Sequence, residues 1–312
     1  MTGTPEARAG VADLDLSGTT ILVTGSTSGI GREAALAFGR LGADVLVHGR
    51  DRDAGQAVRT ELEQRGADAR FVRADFASVD DVRDLAATVR KWTDELDVCC
   101  HNAGGLFRTG ELTDLDVEKT FHVNHLSPYL LTAELLDGLA EDARVVTTAS
   151  EAHKGGDIDL DEVTSVSGYS GSSAYARSKL ANIQFAFELA RRLKAADSDV
   201  SSNSFHPGGI PASGFTRFLP GPLPRVARML DPFPFVTSVE EGAAALVYLA
   251  VSPDVSNVSG QYFEKQDLAT PTQAARDRDA QLQLWERSAA LLDIEEPLAD
   301  AAVDPAVDAS EA

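Results

Sequence analysis

The segment Tyr175-Ala-Arg-Ser-Lys179 sets a phenol and an ammonium four residues apart. On a helix, positions i and i+4 share one face, one turn apart. A free tyrosine, with a pKa of about 10, keeps its proton at neutral pH. A neighbouring ammonium favours the phenolate, and an oxidised nicotinamide ring would add to that. Such a phenol can protonate an alkoxide forming from a ketone, or take a proton from an alcohol. The same pair on a solvated helix face would do no chemistry, so other residues must weigh in. Ser150 ends a β-rich run and offers a hydroxyl to an oxygen that develops charge. Asn102 opens Asn-Ala-Gly after another such run, where a simple turn is the alternative. Asn124 lies within a helical stretch, VNHLSPYLL, although asparagine is a poor helix former. A local kink holding water accounts for it, as does a plain surface position.

A second constellation is Thr24-Gly25-Ser26-Thr27-Ser28-Gly29-Ile30-Gly31, between a strand and a helix. Glycines there let the backbone turn tightly and approach a pyrophosphate without Cβ interference. The helix N-terminus adds free N–H groups and a positive dipole end. The spacing is G-x-x-x-G-x-G, which differs from the G-x-G-x-x-G dinucleotide fingerprint. The next strand ends in His48-Gly49-Arg50-Asp51-Arg52. An acid at such a strand end binds the ribose 2′-OH of NAD, whereas an arginine accommodates the 2′-phosphate of NADP. Arg50, with Arg32 or Arg52 as helpers, favours NADP(H) over NAD(H). Asp51 reaching the ribose is the alternative.

These residues need a scaffold, and the chain shows one from Thr19 onward. Strand-like runs at 19–24, 43–48, 69–73, 96–100, 143–148 and 200–205 alternate with helical patterns at 30–41, 52–65, 79–93, 117–139 and 174–194. Strands apolar on both faces that alternate with helices predict a single doubly wound, Rossmann-type parallel α/β sheet covered on both sides. Its ligands bind beyond the carboxyl ends of the strands. A final helix at 239–251 and a strand at 260–264 complete it. Residues 1–18 read as a flexible lead, 19–292 as the folded domain and 293–312, with seven acids and no Lys or Arg, as a disordered acidic tail. Six prolines between 211 and 237 forbid a long helix and predict a substrate flap. Its Phe215, Phe218, Leu219, Met229, Phe233 and Phe235 suggest a bulky apolar substrate, though core packing explains some of them equally well.

Taken together, these motifs resemble the short-chain dehydrogenase/reductase family over residues 18–290. Thr24–Gly31 is similar to its TGxxxGxG loop and Asn102–Gly104 to its NAG motif. Ser150, Tyr175 and Lys179 are similar to its catalytic Ser and YxxxK, and Asn124 to the Asn of its proton relay. Within the family, VNHLSPYLLT, SEAHKGG and YARSKLANIQFAFELARRL look most like the retinol dehydrogenase and WW-domain oxidoreductase branch. Bacterial ketoreductases acting on anthracyclines are similar. The resemblance implies a hydride-transferring oxidoreductase acting on a small-molecule carbonyl or alcohol. It gives Ser150, Tyr175, Lys179 and Asn124 as the catalytic set. The implied cofactor contacts are Gly25, Ser26, Thr27, Ser28, Gly29, Ile30, Gly31, Arg50, Asp75 and Phe76, with Asp75 at the adenine. They continue through Asn102, Ala103, Gly104, Tyr175, Lys179, Pro207, Gly208 and Ile210. A homodimer or homotetramer through the helices at 117–139 and 174–194 is implied as well. Ala212 stands where the family has Thr, with Ser213 beside it. A non-catalytic NAD(P)-binding sensor or scaffold on the same fold is the rival reading.

Composition narrows the classes further. With 28 Lys+Arg against 49 Asp+Glu the net charge is −21, which repels nucleic acid and anionic membranes. The cations are 22 Arg and 6 Lys, a bias that fits a GC-rich genome or a high-salt habitat. Adjacent Cys99 and Cys100 support neither a disulfide framework nor a zinc site, so no metal is expected. No apolar run approaches the ~20 residues of a membrane helix, and the N-terminus has no signal-peptide pattern. The expectation is a cytoplasmic protein without a membrane anchor.

Overall fold

The computed structural model describes residues 3–209 and 237–301. Ile210 and nearly all of the expected flap, including its apolar side chains and Ala212–Ser213, lie outside the described residues. Within them, eight strands form one sheet in the order β3-β2-β1-β4-β5-β6-β7-β8. The strands are β1 Thr20–Val23, β2 Asp44–Gly49, β3 Ala69–Arg73, β4 Leu96–His101, β5 Leu139–Thr148, β6 Ser201–His206, β7 Tyr262–Glu264 and β8 Asp267–Ala269. All pairings are parallel except β7 with β8. The chain steps outward from β1 to β3, then returns to place β4 on the other side of β1. The carboxyl ends of β1 and β4 therefore form the switch point where an open α/β sheet binds its ligand.

Alternation along each strand feeds two cores. Ile21, Val23, Val45, Val47, Val98 and Cys100 face one side, with α2 (Gly29–Arg40) and α8 (Val239–Val251). Leu22, Leu46, Cys99 and Val145 face the other, with α4 (Val79–Trp92), α6 (Ser127–Leu135) and α7 (Gly171–Ala195). The adjacent cysteines thus point to opposite faces of the sheet, both buried and free. Burial pushes the Cys99 thiol up to about 12, so it behaves as a small apolar side chain. The remaining helices are α1 Pro5–Arg8, α3 Arg52–Glu63, α5 Lys119–Phe121, α9 Gln273–Arg276 and α10 Arg278–Leu292.

Both chain ends differ from the sequence expectation. The lead is packed: α1 lies on α8, Ala9 and Val11 enter the first core, and Arg40 clamps Glu6 at 2.7 Å. Of the expected tail, 293–301 are packed, and 302–312 lie outside the described residues. Ile294 and Leu298 pack on the second core, while Glu296 pairs at 2.5 Å with Arg192, whose side chain is fully buried. Charge composition hid this, because a few apolar anchors and one buried guanidinium outweigh a polar average. The sequence reading also missed β8 and α10. The latter buries Leu284, Trp285 and Leu292, and each leucine contributes roughly 1.5–3 kcal/mol. Trp285 stacks on Phe185 with centroids 5.9 Å apart. Part of the α7 face expected to meet a second copy is therefore covered by the chain's own α10.

Candidate active site

The glycine loop and the Asn-Ala-Gly turn are packed backbone to backbone. Gly25 sits at φ +66°, and a Cβ there would lie 2.8 Å from Ala103 Cα. A Cβ on Gly31 would lie 2.6 Å from the Gly25 carbonyl oxygen. Thr24 Oγ1 donates to Cys100 O at 3.1 Å and accepts the N–H groups of Asn102 and Ala103 at 2.9 and 3.0 Å. Asn102 Nδ2 returns a bond to Thr24 O at 2.9 Å. His48 supports the loop from β2, with Nδ1 3.2 Å from Gly25 N and Nε2 3.1 Å from Ala74 O. That network assigns the tautomer with the proton on Nε2. Burial holds His48 down at about 4, so the ring is neutral and Nδ1 can accept.

The loop fits a diphosphate. Gly29 is at φ +59°, and a Cβ on it would meet nothing within 4 Å, so the space over the turn is open. Ser28 caps α2 without a side-chain hydrogen bond, and the first turn holds no acid. The N–H groups of that turn are thus left for an anion. Ser28 is exposed; Thr27 and Ile30 are partly so. Ser26 is different: its hydroxyl is buried and donates to Val23 O at 2.7 Å, so that hydroxyl pins the turn. Phe76 is likewise taken inward, stacked on the His48 ring at 4.5 Å.

Arg50 follows β2 with 62% of its side chain exposed, 4.0 Å from Asp75. Its backbone carbonyl is held by Arg73 Nε at 3.1 Å. Arg32 is tied to Glu33 and Glu61 at 2.5 and 2.6 Å, whereas Arg50 and Arg52 are both exposed at this strand end. Asp75 accepts the Ala77 N–H at 3.1 Å and so shapes the turn after β3. Pro207 and Gly208 directly follow β6, where Gly208, at φ +91°, lies against Thr237.

The sheet then brings Ser150, Tyr175, Lys179 and Asn124 to the carboxyl edge of β4 and β5. Ser150 opens the turn beyond β5, accepts the Ala152 N–H at 3.2 Å and hydrogen-bonds the Tyr175 phenol. Lys179 Nζ lies 5.6 Å from the Tyr175 ring centre and donates to Thr148 O at 2.8 Å. Asn182, one turn further along α7, donates to the same carbonyl at 3.0 Å. Asn124 falls in a π-helical turn, His122–Leu126, so the kink expected at that position is real. Its side chain is buried: Nδ2 reaches Gly105 O and Ser178 Oγ, each at 2.9 Å, and Oδ1 accepts the Gly105 N–H at 2.9 Å. A Cβ on Gly104 would come within 3.0 Å of Asn124 Oδ1 and 3.5 Å of Lys179 Nζ. Glycine lets the Asn-Ala-Gly turn reach both.

Electrostatics depart from the simple expectation for a Tyr/Lys pair. Burial pushes the Tyr175 phenol above its usual value, opposed only by its hydrogen bond with Ser150. Burial also draws Lys179, 3% exposed, down to about 8. Both groups are held toward their neutral forms by desolvation. The sequence reading had missed Thr24, His48 and Asn182 as supports of the site. Thr24 could have been suspected from its place in the loop. The roles of His48 and of the Thr148 carbonyl carry no sequence signal.

The chain belongs to the short chain dehydrogenase family, whose profile matches residues 19–219. It is an oxidoreductase, as its named relatives are. A Streptomyces sp. (strain C5) protein named as a candidate daunorubicin C-13 ketoreductase is 38% identical, covering 92% of this chain and 96% of that one. Human retinol dehydrogenase 13 is 33% identical over 90% of this chain and 87% of its own. Landomycin C-6 ketoreductase, solved with NADP and rabelomycin, superposes with a TM-score of 0.61 at 25% identity, covering 81% of this chain and 97% of that one. Among the described residues no helix is long and apolar enough to cross a membrane.

Proposed function

We propose that the enzyme is an NADP(H)-dependent reductase of bulky apolar ketones or aldehydes, with Tyr175 as its proton donor. The observation that carries this reading is the Ser150–Tyr175 hydrogen bond on the carboxyl edge, with Lys179 Nζ beside the ring. NADPH, when bound, supplies the hydride. Gly25, Gly29 and the first turn of α2 would hold its diphosphate, and Arg50 its 2′-phosphate. Ser150 orients the substrate oxygen and stabilises the charge that grows on it. Tyr175 Oη gives its proton to that oxygen, completing the alcohol. Burial keeps the Tyr175 phenol protonated in the resting enzyme, the form that can donate to a carbonyl oxygen. Lys179, anchored on Thr148 O, keeps further N–H groups for the cofactor ribose. Asn124 fixes the Gly105 backbone and Ser178 on the Lys179 side of the site, and supports a water-linked proton path.

The bulky apolar substrate is supported by the daunorubicin and retinol in the relatives' names. An NADPH-oxidation screen over aromatic ketones, long-chain aldehydes and quinones tests it. Turnover with NADPH, faster than with NADH, is the expected result. No turnover on any of the three classes would remove the reading.

A further inference from the structure

We propose that the protein carries a second ligand site, on the sheet edge opposite Tyr175, built to bind a small molecule bearing two or more phosphate groups. A pocket of about 760 Å³ opens there, where β5 and β6 begin and just before β7. That volume is within the range of small-molecule sites. Its far wall is the C-terminal part of α7, which by helix rise lies about 18 Å (Phe187) to about 28 Å (Lys194) from Tyr175. It shares no lining residue with the cofactor loop or the catalytic set.

Charge is what singles the pocket out. Five cations line it, Arg144, Arg191, Lys194, Arg276 and Arg278, against two acids, Asp142 and Asp199. A local positive excess is unexpected in a chain of net charge −21. Favourable pairing with a helix dipole accounts for a cation such as Lys194 in the last turn of α7. It does not account for Arg144, which comes from β5, or for Arg276 and Arg278, which come from the α9–α10 junction. Among the described residues, neither Lys194 nor Arg276 has a carboxylate within ion-pair distance. Arg144 spends one guanidinium nitrogen on Ser252 O at 2.8 Å and feels the charge of Asp142, so it is partly offset within the pocket. Arg191 is engaged by Glu188 at 2.6 Å and by Gln281, so it serves as a strut. Asp277, between the two exposed arginines, is occupied in capping α10 through the Ala280 N–H.

The walls are fixed in advance. Gly260 at φ +69° would place a Cβ 3.4 Å from Ala190, so the loop before β7 lies close against α7. That loop is pinned by Gly260 N to Ser202 O at 2.8 Å and by Asn203 Nδ2 to Val258 O at 2.6 Å. Gln184 Nε2 and Gln281 Nε2 hold the carbonyls of Ala274 and Ala275, each in turn fixing α9 beside the pocket. Fixed walls hold the bases of these side chains close together, and clustered cations favour clustered anions over a single one. Phosphates suit this site because guanidinium groups match their geometry. The half-buried ring of Phe187, in the same wall, offers a face to a planar base. Two sources share this chemistry, a nucleotide and a plain phosphate chain.

The test uses the full chain with NADPH in excess, so that the cofactor loop is not the reporter. Calorimetric titration with ATP, and separately with tripolyphosphate, reads affinity at low and moderate salt, and 8-azido-ATP marks the position. Binding that weakens with salt is expected, with label on peptides from 187–201 or 256–281. The double variant Lys194→Glu/Arg276→Glu, at exposed positions that leave the fold intact, should weaken binding by about tenfold or more. ATP binding more tightly than tripolyphosphate supports the nucleotide; equal affinities support the phosphate chain. Label confined to residues 24–52, affinity unmoved by the double variant, or no binding of either probe would each overturn the proposal.

Discussion

The two ends of α7 carry opposite kinds of cation. At its N-terminal end Lys179 is sunk to 3% exposure, drawn down to about 8 by burial and committed to Thr148 O. At its C-terminal end Lys194 is exposed, has no carboxylate within ion-pair distance among the described residues, and faces a pocket lined by further cations. One buried ammonium acts through position: it is costly to hold there, and it is useful because water cannot screen it. Several exposed cations act through number, each weak alone and effective only together. The difference teaches that a positive site in an acidic protein can be made by desolvation or by crowding, and that the two should answer differently to mutation, pH and salt.

The sharpest separation comes from Tyr175→Phe, which removes the proposed proton donor and keeps the ring. Turnover with NADPH should fall by roughly 10³-fold while NADPH binding, read by fluorescence, stays near wild type. Comparable turnover in the variant would reduce the buried end of α7 to a structural feature. Lys179→Met comes next. The folded-state pKa of Lys179 lies below its ordinary 10.5, so below pH 8 both states hold the proton and the fold bears the whole burial penalty. Between about pH 8 and 10.5 the folded state releases that proton first, and stability rises with pH. The variant should therefore be more stable than wild type at pH 7, by up to about 3 kcal/mol, with the gap closing toward pH 10.5. Thr148 O keeps Asn182 as a donor, so no carbonyl is orphaned. Melting midpoints across that range check both the sign and the window.

A smaller effect belongs to an exposed cation at the cofactor edge. Arg50→Asp should lower the ratio of kcat/KM for NADPH to that for NADH by about 10- to 100-fold, the value of one or two charged hydrogen bonds. An unchanged ratio would remove Arg50 from the cofactor reading. The smallest effect is expected at the far end of α7. Lys194→Met should move the melting midpoint by no more than about 0.5 kcal/mol in stability, with no pH dependence from 8 to 10.5. A pH-dependent shift there like that of Lys179→Met would erase the distinction between the two ends.

Much of this molecule was legible in its residues because the relevant signals are local. Helix α8 spans 239–251 and β3 spans 69–73, both as the apolar pattern predicts. The glycine loop, the Tyr/Lys spacing and the strand-end Ser150 are contiguous or fall at element ends, so period and turn chemistry locate them. Asn124 in a helical run left a kink and a surface position open, and the π-helical turn that buries it decides for the kink. The chain ends were misjudged because packing at Glu6, Arg192 and Glu296 depends on single long-range partners and not on average composition.

By itself the sequence determined the doubly wound fold, the family and the identity of the groups that can move a proton. Their chemistry is written in side-chain type, and their order along the chain follows the strand–helix rhythm. Only the tertiary structure decided the charge states of those groups and the partners that hold them. His48 is a neutral acceptor and Lys179 a weakened base because of burial, which no spacing records. Thr148 supports the site through a backbone carbonyl, a group every residue has. The cations at 144, 191, 194, 276 and 278 meet only because parallel pairing of β5, β6 and β7 aligns segments more than a hundred residues apart.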